Sequence, residues 1–313
     1  MRELVLSWNL KDAVEFAKTE EGLKALSALL ADRNPRVRLR ALSVLSSVID
    51  EWESGRGRLI GLFFEPLINL LTPENEKTCL RALSVLRRLL EGVHIQLREF
   101  ETLVSSMFSL TEECDRMAWN EVVELLKVTS VVVVASTPAS IARDRLQSEN
   151  LRTAILASYL LVREGDPLEG ISEEFLYILK RAIRSGDLTT VELALMTIKE
   201  LLRTPLAYPV DTVLLGLVPS LRRLAEEGEN VSVRQEAKNV LGALMDALRN
   251  YYQKNPWDLE KSVKHLVRGN RREDAILIAS LMGDISILLA VESSSNFAEG
   301  GIGEFGTMGG REL

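Results

Sequence analysis

The sequence is poor in the side chains that most enzymes and metal sites use. Its 313 residues include only two histidines and two cysteines, and aromatic residues make up 5%. Cys79 and Cys114 lie far apart and neither belongs to a CxxC motif, so we interpret both as free thiols of a reducing compartment. His94 and His265 have no companion at ligand spacing. We therefore expect no catalytic activity, no metal and no cofactor.

The sequence also lacks the apolar runs that a membrane requires. Its longest uncharged stretch, Val128 to Ala142, falls short of the about 20 apolar residues that span a bilayer. Charges interrupt the N-terminal region as well, which is not typical of a signal peptide. The net charge of −7 argues against a general binder of nucleic acid or membrane. We expect a cytoplasmic protein without a membrane partner, and its many charges and few glutamines are typical of thermophilic proteins.

What the sequence has in abundance is leucine, 54 residues in all, arranged in a repeat. The string LRALSVL occurs at 39–45 and again at 80–86, 41 residues later, and a third copy of the pattern lies at 229–244. A period near 40 residues fits two helices and their turns. Small residues extend the pattern along the chain: Ala41, Ala82, Ala118, Ala154, Ala194 and Ala237. The register at Ala154 stays open, because Ile155 fits equally well.

Apolar periodicity and capping residues predict helices throughout the chain. Asn34 before Pro35 is a typical helix start, which Thr72–Pro73 and Thr137–Pro138 repeat. The predicted helix pairs are 21–32/35–52, 58–71/74–91, 96–110/113–135, 138–147/149–163, 172–185/188–203 and 211–227/230–250. A helix near 10–18 precedes them, and helices near 257–268 and 271–291 follow. We interpret the run VVVV at 131–134 as the end of a long helix.

The segment LLADRNPRVRLRALSVLSSV at 29–48 resembles the HEAT repeat, and 229–244 resembles its second helix. Pro66 and Pro219, each near Leu-rich residues, are similar to the proline of HEAT first helices. The resemblance covers about 20–250, and it implies a right-handed α-solenoid of about six helical hairpins that binds proteins. Cys79 stands where Arg38 stands in the first repeat, so the Asp–Arg pairing common in such repeats is not expected there.

We therefore predict an all-α protein in three parts. Residues 1–250 form the HEAT-like solenoid with an N-terminal cap helix, 251–292 form a C-terminal helical cap, and 293–313 form a flexible, Gly-rich tail. The tail carries large apolar residues, namely Phe297, Ile302, Phe305 and Met308. These residues either dock into a partner or into the protein's own groove, or they belong to a flexible terminus without a ligand.

Cations recur at helical spacing on the second helices of the first two repeats. We name this row the basic ridge; it consists of Arg36, Arg40, Lys77, Arg81 and Arg88. In a HEAT-like stack the second helices line the concave side, so we expect one basic patch there. A solvated face with salt bridges is the alternative. We interpret Arg40 and Arg81 as surface residues, whose reversal to Glu should leave the fold intact.

Arg36 lies in the first turn of its helix, where the dipole disfavours a cation by about 0.3–1 kcal/mol. A structural role for Arg36 therefore requires an offsetting contact, for example with Asp32 or Glu74. We interpret a second basic group, Arg268, Arg271 and Arg272, as a solvated loop in the cap.

The sequence favours a non-catalytic scaffold or adaptor that holds a protein or peptide in its concave groove. The main alternative is a nucleic-acid-associated factor that uses the basic ridge. A HEAT-like enzyme is the third possibility, and it would need an acid, base or metal set that the sequence does not offer.

Overall fold

The computed structural model describes residues 1–52, 56–131, 137–166, 168–208 and 210–283, which are mainly helical. The helices are α1 (Arg2–Leu6), α2 (Leu10–Ala17), α3 (Glu20–Leu30), α4 (Pro35–Glu51), α5 (Arg56–Ile68), α6 (Glu76–Leu90), α7 (Leu97–Glu113), α8 (Arg116–Val128), α9 (Thr137–Arg145), α10 (Leu151–Arg163), α11 (Ser172–Ile183), α12 (Leu188–Arg203), α13 (Val210–Glu227), α14 (Val231–Lys254), α15 (Pro256–Arg268) and α16 (Arg272–Met282). Two short strands, β1 (His94–Ile95) and β2 (Ser130–Val131), pair in parallel. None of the described helices is long and apolar enough to cross a membrane.

The chain divides into two compact units. Unit 1 comprises residues 1–166 and 187–193, and unit 2 comprises 167–186 and 194–313. The predicted helix pairs are all present, with boundaries close to those expected from the sequence. Short polar side chains begin several helices, because each accepts a backbone N–H of the first turn that would otherwise lack a partner. Asn34 is such a cap, as predicted, whereas the predicted cap Thr72 makes no such bond and Asn75 begins α6 instead. The capping residues are Asn34, Asn75, Asp115, Asn150 and Asn230.

Four details differ from the sequence-based prediction. α1 was not expected, and Pro73 begins a 3-10 turn, so that α6 starts at Glu76. α8 ends at Val128, where the Thr129 hydroxyl donates to the Leu125 carbonyl and the chain turns into β2. The run VVVV therefore does not extend α8, and 132–134 lie outside the described residues. α16 ends at Met282, because Gly283 adopts a positive φ of 67° that terminates the helix.

Unit 1 is built from two rows of helices. The first helices of successive hairpins, α3, α5 and α7, pack in one row, and the second helices, α4, α6 and α8, pack in the other. Ala41 and Ala82 are fully buried and Ala118 is nearly so, as the repeat predicts. A small side chain at this position lets neighbouring helices approach closely.

The fourth hairpin departs from this pattern. α10 packs against α9 and against α7, a first helix. The Thr111 and Thr153 hydroxyls share a buried hydrogen bond of 2.8 Å between α7 and α10. The neighbour of α8 is instead the start of α12, where the Trp119 indole N–H donates to the Thr190 hydroxyl at 3.1 Å. Ala154 therefore does not continue the row of Ala41, Ala82 and Ala118.

Gly22 sets how closely α3 approaches the end of α2. A Cβ atom at this position would overlap the Phe16 carbonyl, which is rigid backbone. Replacing Gly22 by Ala should therefore force the two helices apart and lower the free energy of unfolding by about 1–3 kcal/mol. Chemical denaturation followed by circular dichroism measures this effect.

Gly61 is the matched control for Gly22. It lies in α5 and is exposed, and no atom lies within 4 Å of an added Cβ. Gly61→Ala should raise the free energy of unfolding by about 0.5–1 kcal/mol, because alanine restricts the unfolded chain and favours helix. Two variants that both stabilise the protein would contradict the close approach at Gly22.

Unit 2 contains α11, the second part of α12, and α13–α16. α13 packs between α11 and α14, while α15 and α16 both contact α13 and α14. Asp211 lies at the start of α13 and is fully buried. Its Oδ2 accepts hydrogen bonds from the Tyr252 hydroxyl at 2.8 Å and from the Ser262 hydroxyl. Burial raises the pKa of Asp211 despite these hydrogen bonds.

Arg271 is not part of a solvated loop, which corrects the sequence-based interpretation of that cluster. Its side chain is 16% exposed and donates to Asp274 at 2.8 Å and to Glu173 at 3.1 Å. It also donates to the backbone carbonyl of Thr212 at 2.7 Å. Arg271 thus joins the turn before α16 to α11 and α13, whereas Arg268 is exposed.

Candidate protein-binding face

The basic ridge lies on α4 and α6, two neighbouring helices of unit 1. Each helix turns its apolar stripe inward; on α4, for example, Val37 and Ala41 are fully buried. The ridge residues occupy the other side of the same helices. Arg36 and Lys77 are exposed, Arg40 and Arg81 are half-buried, and Arg88 is exposed. Their spacings of four and seven residues place them on one side of each helix.

Arg40 binds the end of α1. Its guanidinium donates to the carbonyl of Val5 at 3.2 Å and to the carbonyl of Leu6. These carbonyls lie in the last turn of a helix, where backbone acceptors lack intrahelical partners and carry partial negative charge. Arg40→Glu would place a carboxylate against them. Arg40 is therefore not a free surface residue, and we now expect its reversal to Glu to release α1 from α4.

Trp8 completes this arrangement. It follows α1 with a positive φ of 58°, in the position at which a helix end favours glycine. The N–H of Trp8 donates to Val5 and the N–H of Asn9 to Leu4, as in a Schellman motif. The Arg40 guanidinium lies 5.2 Å from the centre of the Trp8 ring, and 50% of Trp8 remains exposed. Sequence reasoning missed Trp8, although the cap residue Asn9 after it was a signal for a chain break there.

Arg88 is also engaged within the fold. It donates to Asp50 at 2.8 Å and to the Ser46 hydroxyl at 2.9 Å, both on α4. This exposed ion pair contributes little to stability, about 0–1 kcal/mol. It does neutralise Arg88, so that this residue adds little charge to the face.

Arg36, Lys77 and Arg81 have no ion-pair partner among the residues that the structure describes. Arg36 and Lys77 both lie in the first turn of their helices, where the dipole disfavours a cation by about 0.3–1 kcal/mol. The offsetting contact of Arg36 with Asp32 is not formed, because the Asp32 carboxylate binds Arg2 at 2.9 Å and the Asn34 N–H. These three residues, which we name the open cations, provide the net positive charge of the face.

The next helix of the row, α8, changes the character of the face. Met117 occupies the position equivalent to Arg40 and Arg81 and is 63% exposed. Glu113 is exposed, and Glu124 pairs with Lys127. The face is thus basic on α4 and α6 and mixed at α8.

The surroundings of the two thiols disfavour the thiolate form. Burial raises the pKa of Cys79 to about 11, and burial also raises the pKa of Cys114, so both thiols are poor nucleophiles at neutral pH. No group of three or more His, Cys, Asp or Glu side chains within the described ranges could hold a metal ion. The predicted tail residues, Phe297, Ile302, Phe305 and Met308, lie outside the described residues.

Comparison with known proteins gives similarity in structure only. No family model and no curated protein matches the chain. A crystal structure of an archaeal HEAT-like repeats protein from Thermococcus onnurineus NA1 is similar over 79% of this chain and 96% of that one, with 24% identity and a TM-score of 0.66. A designed armadillo repeat protein covers 71% of this chain and is itself covered over 99%, with 16% identity and a TM-score of 0.43.

The similarity to the archaeal protein agrees with the paired helices, the buried alanine row and the prolines inside α5 and α13. Repeats one and six share a further detail, because Arg38 and Arg234 each donate to the carbonyl of the residue six positions earlier. These observations confirm the predicted fold: the chain has the fold of a HEAT-like helical repeat protein.

Proposed function

We propose that this chain is a non-catalytic scaffold that binds a protein or peptide partner on the basic ridge of α4 and α6. The observation that carries the proposal is the set of open cations, Arg36, Lys77 and Arg81. Two of them stand where the helix dipole opposes a cation, and neither forms an ion pair with a described side chain. A carboxylate of a partner would supply the missing counter-ion.

The surroundings of the open cations favour a protein ligand over a nucleic acid. Trp8 and Met117 are large, exposed apolar side chains at the two ends of the row, and such side chains serve as anchors in protein interfaces. Asp50 neutralises Arg88, and Glu113 lies exposed at the end of α7, shortly before α8. Acidic groups beside the cations would repel a continuous polyphosphate, whereas they can select a peptide of matching charge.

Charge reversal of the three open cations tests the proposal. A partner is first identified by affinity capture and mass spectrometry, and its affinity is then measured by titration calorimetry. The triple variant Arg36→Glu, Lys77→Glu, Arg81→Glu should weaken binding at least about tenfold, which corresponds to about 1.4 kcal/mol. Arg36→Glu alone should raise the free energy of unfolding by about 0.3–1 kcal/mol, because it places an anion at the positive end of α4.

A second triple variant, Lys11→Glu, Arg98→Glu, Lys238→Glu, is the matched control. These cations are exposed, lie on helices other than α4 and α6, and have no ion pair within the described ranges, and the change in net charge is the same. Equal loss of affinity in both variants would show a general charge effect and contradict the proposal. A mobility shift with nucleic acid at low salt that only the ridge variant abolishes would favour the nucleic-acid alternative instead.

A further inference from the structure

One arginine of the basic ridge, Arg40, binds the carboxyl-terminal end of a helix of the same chain, α1. α1 has only five residues, too few for a stable helix on its own. It is held on α4 because Val5 is buried and Arg40 binds the carbonyls of the last turn. The ion pair between Arg2 and Asp32 fixes its other end at 2.9 Å. α1 is thus a helix end bound by an arginine of a second helix.

The neighbouring helix α6 carries an equivalent arginine, Arg81, but none of the described helix ends is bound to it. Arg81 occupies in LRALSVL of α6 the place that Arg40 occupies in LRALSVL of α4. The residue after each arginine, Ala41 or Ala82, is fully buried, so the two guanidinium groups leave their helices at the same register. Arg40 binds two carbonyls, whereas Arg81 is half-buried and has no hydrogen-bond acceptor among the described residues.

We infer that Arg81 binds the carboxyl-terminal end of a helix of the protein partner, as Arg40 binds the end of α1. The inference rests on the proposed function and adds the chemistry of the ligand: free backbone carbonyls in the last turn of a helix, with an apolar side chain in that turn. Lys77, one turn earlier on α6, places a second cation near the negative end of such a helix. Met117 on α8 supplies the exposed apolar contact on the far side of Arg81.

We expect Arg81 to bind a helix end and not only an acidic side chain, because the equivalent residue Arg40 binds main-chain carbonyls. Arg40 binds the Val5 and Leu6 carbonyls through one nitrogen, Nη1, whose two N–H donors are held in the guanidinium plane. A lysine ammonium also carries several donors, but they rotate freely on a differently shaped side chain. Arg81→Lys should therefore keep the charge of the face but weaken the binding of a helix end.

A peptide that reproduces the end of α1 tests the inference. The probe carries helix-forming EAAAK repeats followed by RELVLSWN and an amidated carboxyl end. It is titrated into the full chain labelled with ¹³C at its methionine methyl groups, with the Met117 signal assigned through Met117→Leu. We expect a saturable shift of the Met117 signal, with at least about tenfold weaker binding in Arg81→Gln and an intermediate loss in Arg81→Lys. Arg98→Gln, an exposed arginine on α7, should leave the titration unchanged.

Three results would overturn the inference. One is the absence of a Met117 shift up to millimolar peptide, and another is a shift that Arg81→Gln does not weaken. The third is equal, Arg81-dependent binding of a peptide with RELVLSWN in scrambled order. This last result would leave the proposed function standing, because the face would bind peptides without recognising a helix end. Failure of the charge-reversal experiment would reject the proposed function itself.

Discussion

Arg271→Ala should lower the free energy of unfolding by about 3–5 kcal/mol, which is the usual cost of removing one partner of a buried ion pair. The guanidinium is 16% exposed and binds Asp274, Glu173 and the Thr212 carbonyl. Truncation leaves the buried Asp274 carboxylate without its counter-ion, and it leaves a cavity next to Gly216, whose backbone lies against the guanidinium. Chemical denaturation of the full chain, followed by circular dichroism, measures the loss.

Arg268→Ala is the control for this prediction. Arg268 lies three residues earlier, is exposed and has no ion pair within the described residues, so its removal should change the free energy of unfolding by less than about 0.5 kcal/mol. Equal effects of the two variants would show that Arg271 does not hold unit 2 together. Arg271→Lys distinguishes charge from geometry, since a lysine cannot donate to three acceptors in the same fixed plane.

Asp211→Ala should destabilise the protein by about 2–5 kcal/mol, because two buried hydroxyl groups lose their acceptor. Tyr252 and Ser262 both donate to Asp211 Oδ2 and connect α14 and α15 to the start of α13. Tyr252→Phe removes one donor only and should cost about 1–3 kcal/mol. Tyr251→Phe is the control, because Tyr251 donates to Asp258 and not to Asp211. A similar loss in both Tyr variants would contradict the special role of the buried carboxylate.

The same carboxylate gives the unfolding free energy a defined pH dependence. Burial raises the pKa of Asp211 in the folded state above the ordinary value of 3.8, so the folded protein holds this proton more tightly than the unfolded chain. The resulting stabilisation is fully present when the pH is below the pKa that Asp211 has in the unfolded chain. It disappears as the pH rises through the higher pKa that Asp211 has in the folded protein. The wild type should therefore lose stability relative to Asp211→Asn over that interval. A difference that is constant with pH would contradict the raised pKa.

The sequence predicts the helices of this fold because local rules decide where they begin. Asn34 and Asn230 accept first-turn N–H groups wherever they occur, and Pro35 cannot lie far inside a helix. The alanine row was predictable for a related reason. Ala41 and Ala82 recur at one period, and each is fully buried between neighbouring second helices. Local chemistry repeated at a fixed interval thus determines both the elements and their packing.

The sequence does not reveal which cations are paired, because their partners lie far along the chain. Arg40 contacts residues 35 positions before it, Arg88 contacts Asp50, 38 positions before it, and Arg271 contacts Glu173, 98 positions before it. Periodicity places all three on a helix surface or in a turn, yet it carries no information about such distant contacts. The distinction between the open cations and the structural ones therefore required the three-dimensional structure.

The fourth hairpin shows a second limit of sequence reasoning. α10 is apolar on nearly all sides, and the residues from Thr153 to Val162 are all buried. In a helix without a polar face, the sequence does not indicate which side packs against which neighbouring helix. The spacing of Ala154 therefore fits the repeat although its helix does not occupy the corresponding position. α10 packs on α7, and the start of α12 lies beside α8. Contacts between distant segments reveal the true order, such as the hydrogen bond from Trp119 to Thr190 and that from Thr189 to Asn120.

Photo-crosslinking from a position beside the basic ridge tests most directly whether the partner binds there. A photoreactive residue at Met117, which is 63% exposed, samples the face beside Arg81, and one at the exposed Arg98 samples a first helix of the same unit. The account predicts that the captured partner is crosslinked from position 117 and not from position 98, and that reversal of the open cations abolishes the crosslink. Crosslinking from position 98 alone, or crosslinking from position 117 that persists after the reversal, would contradict it.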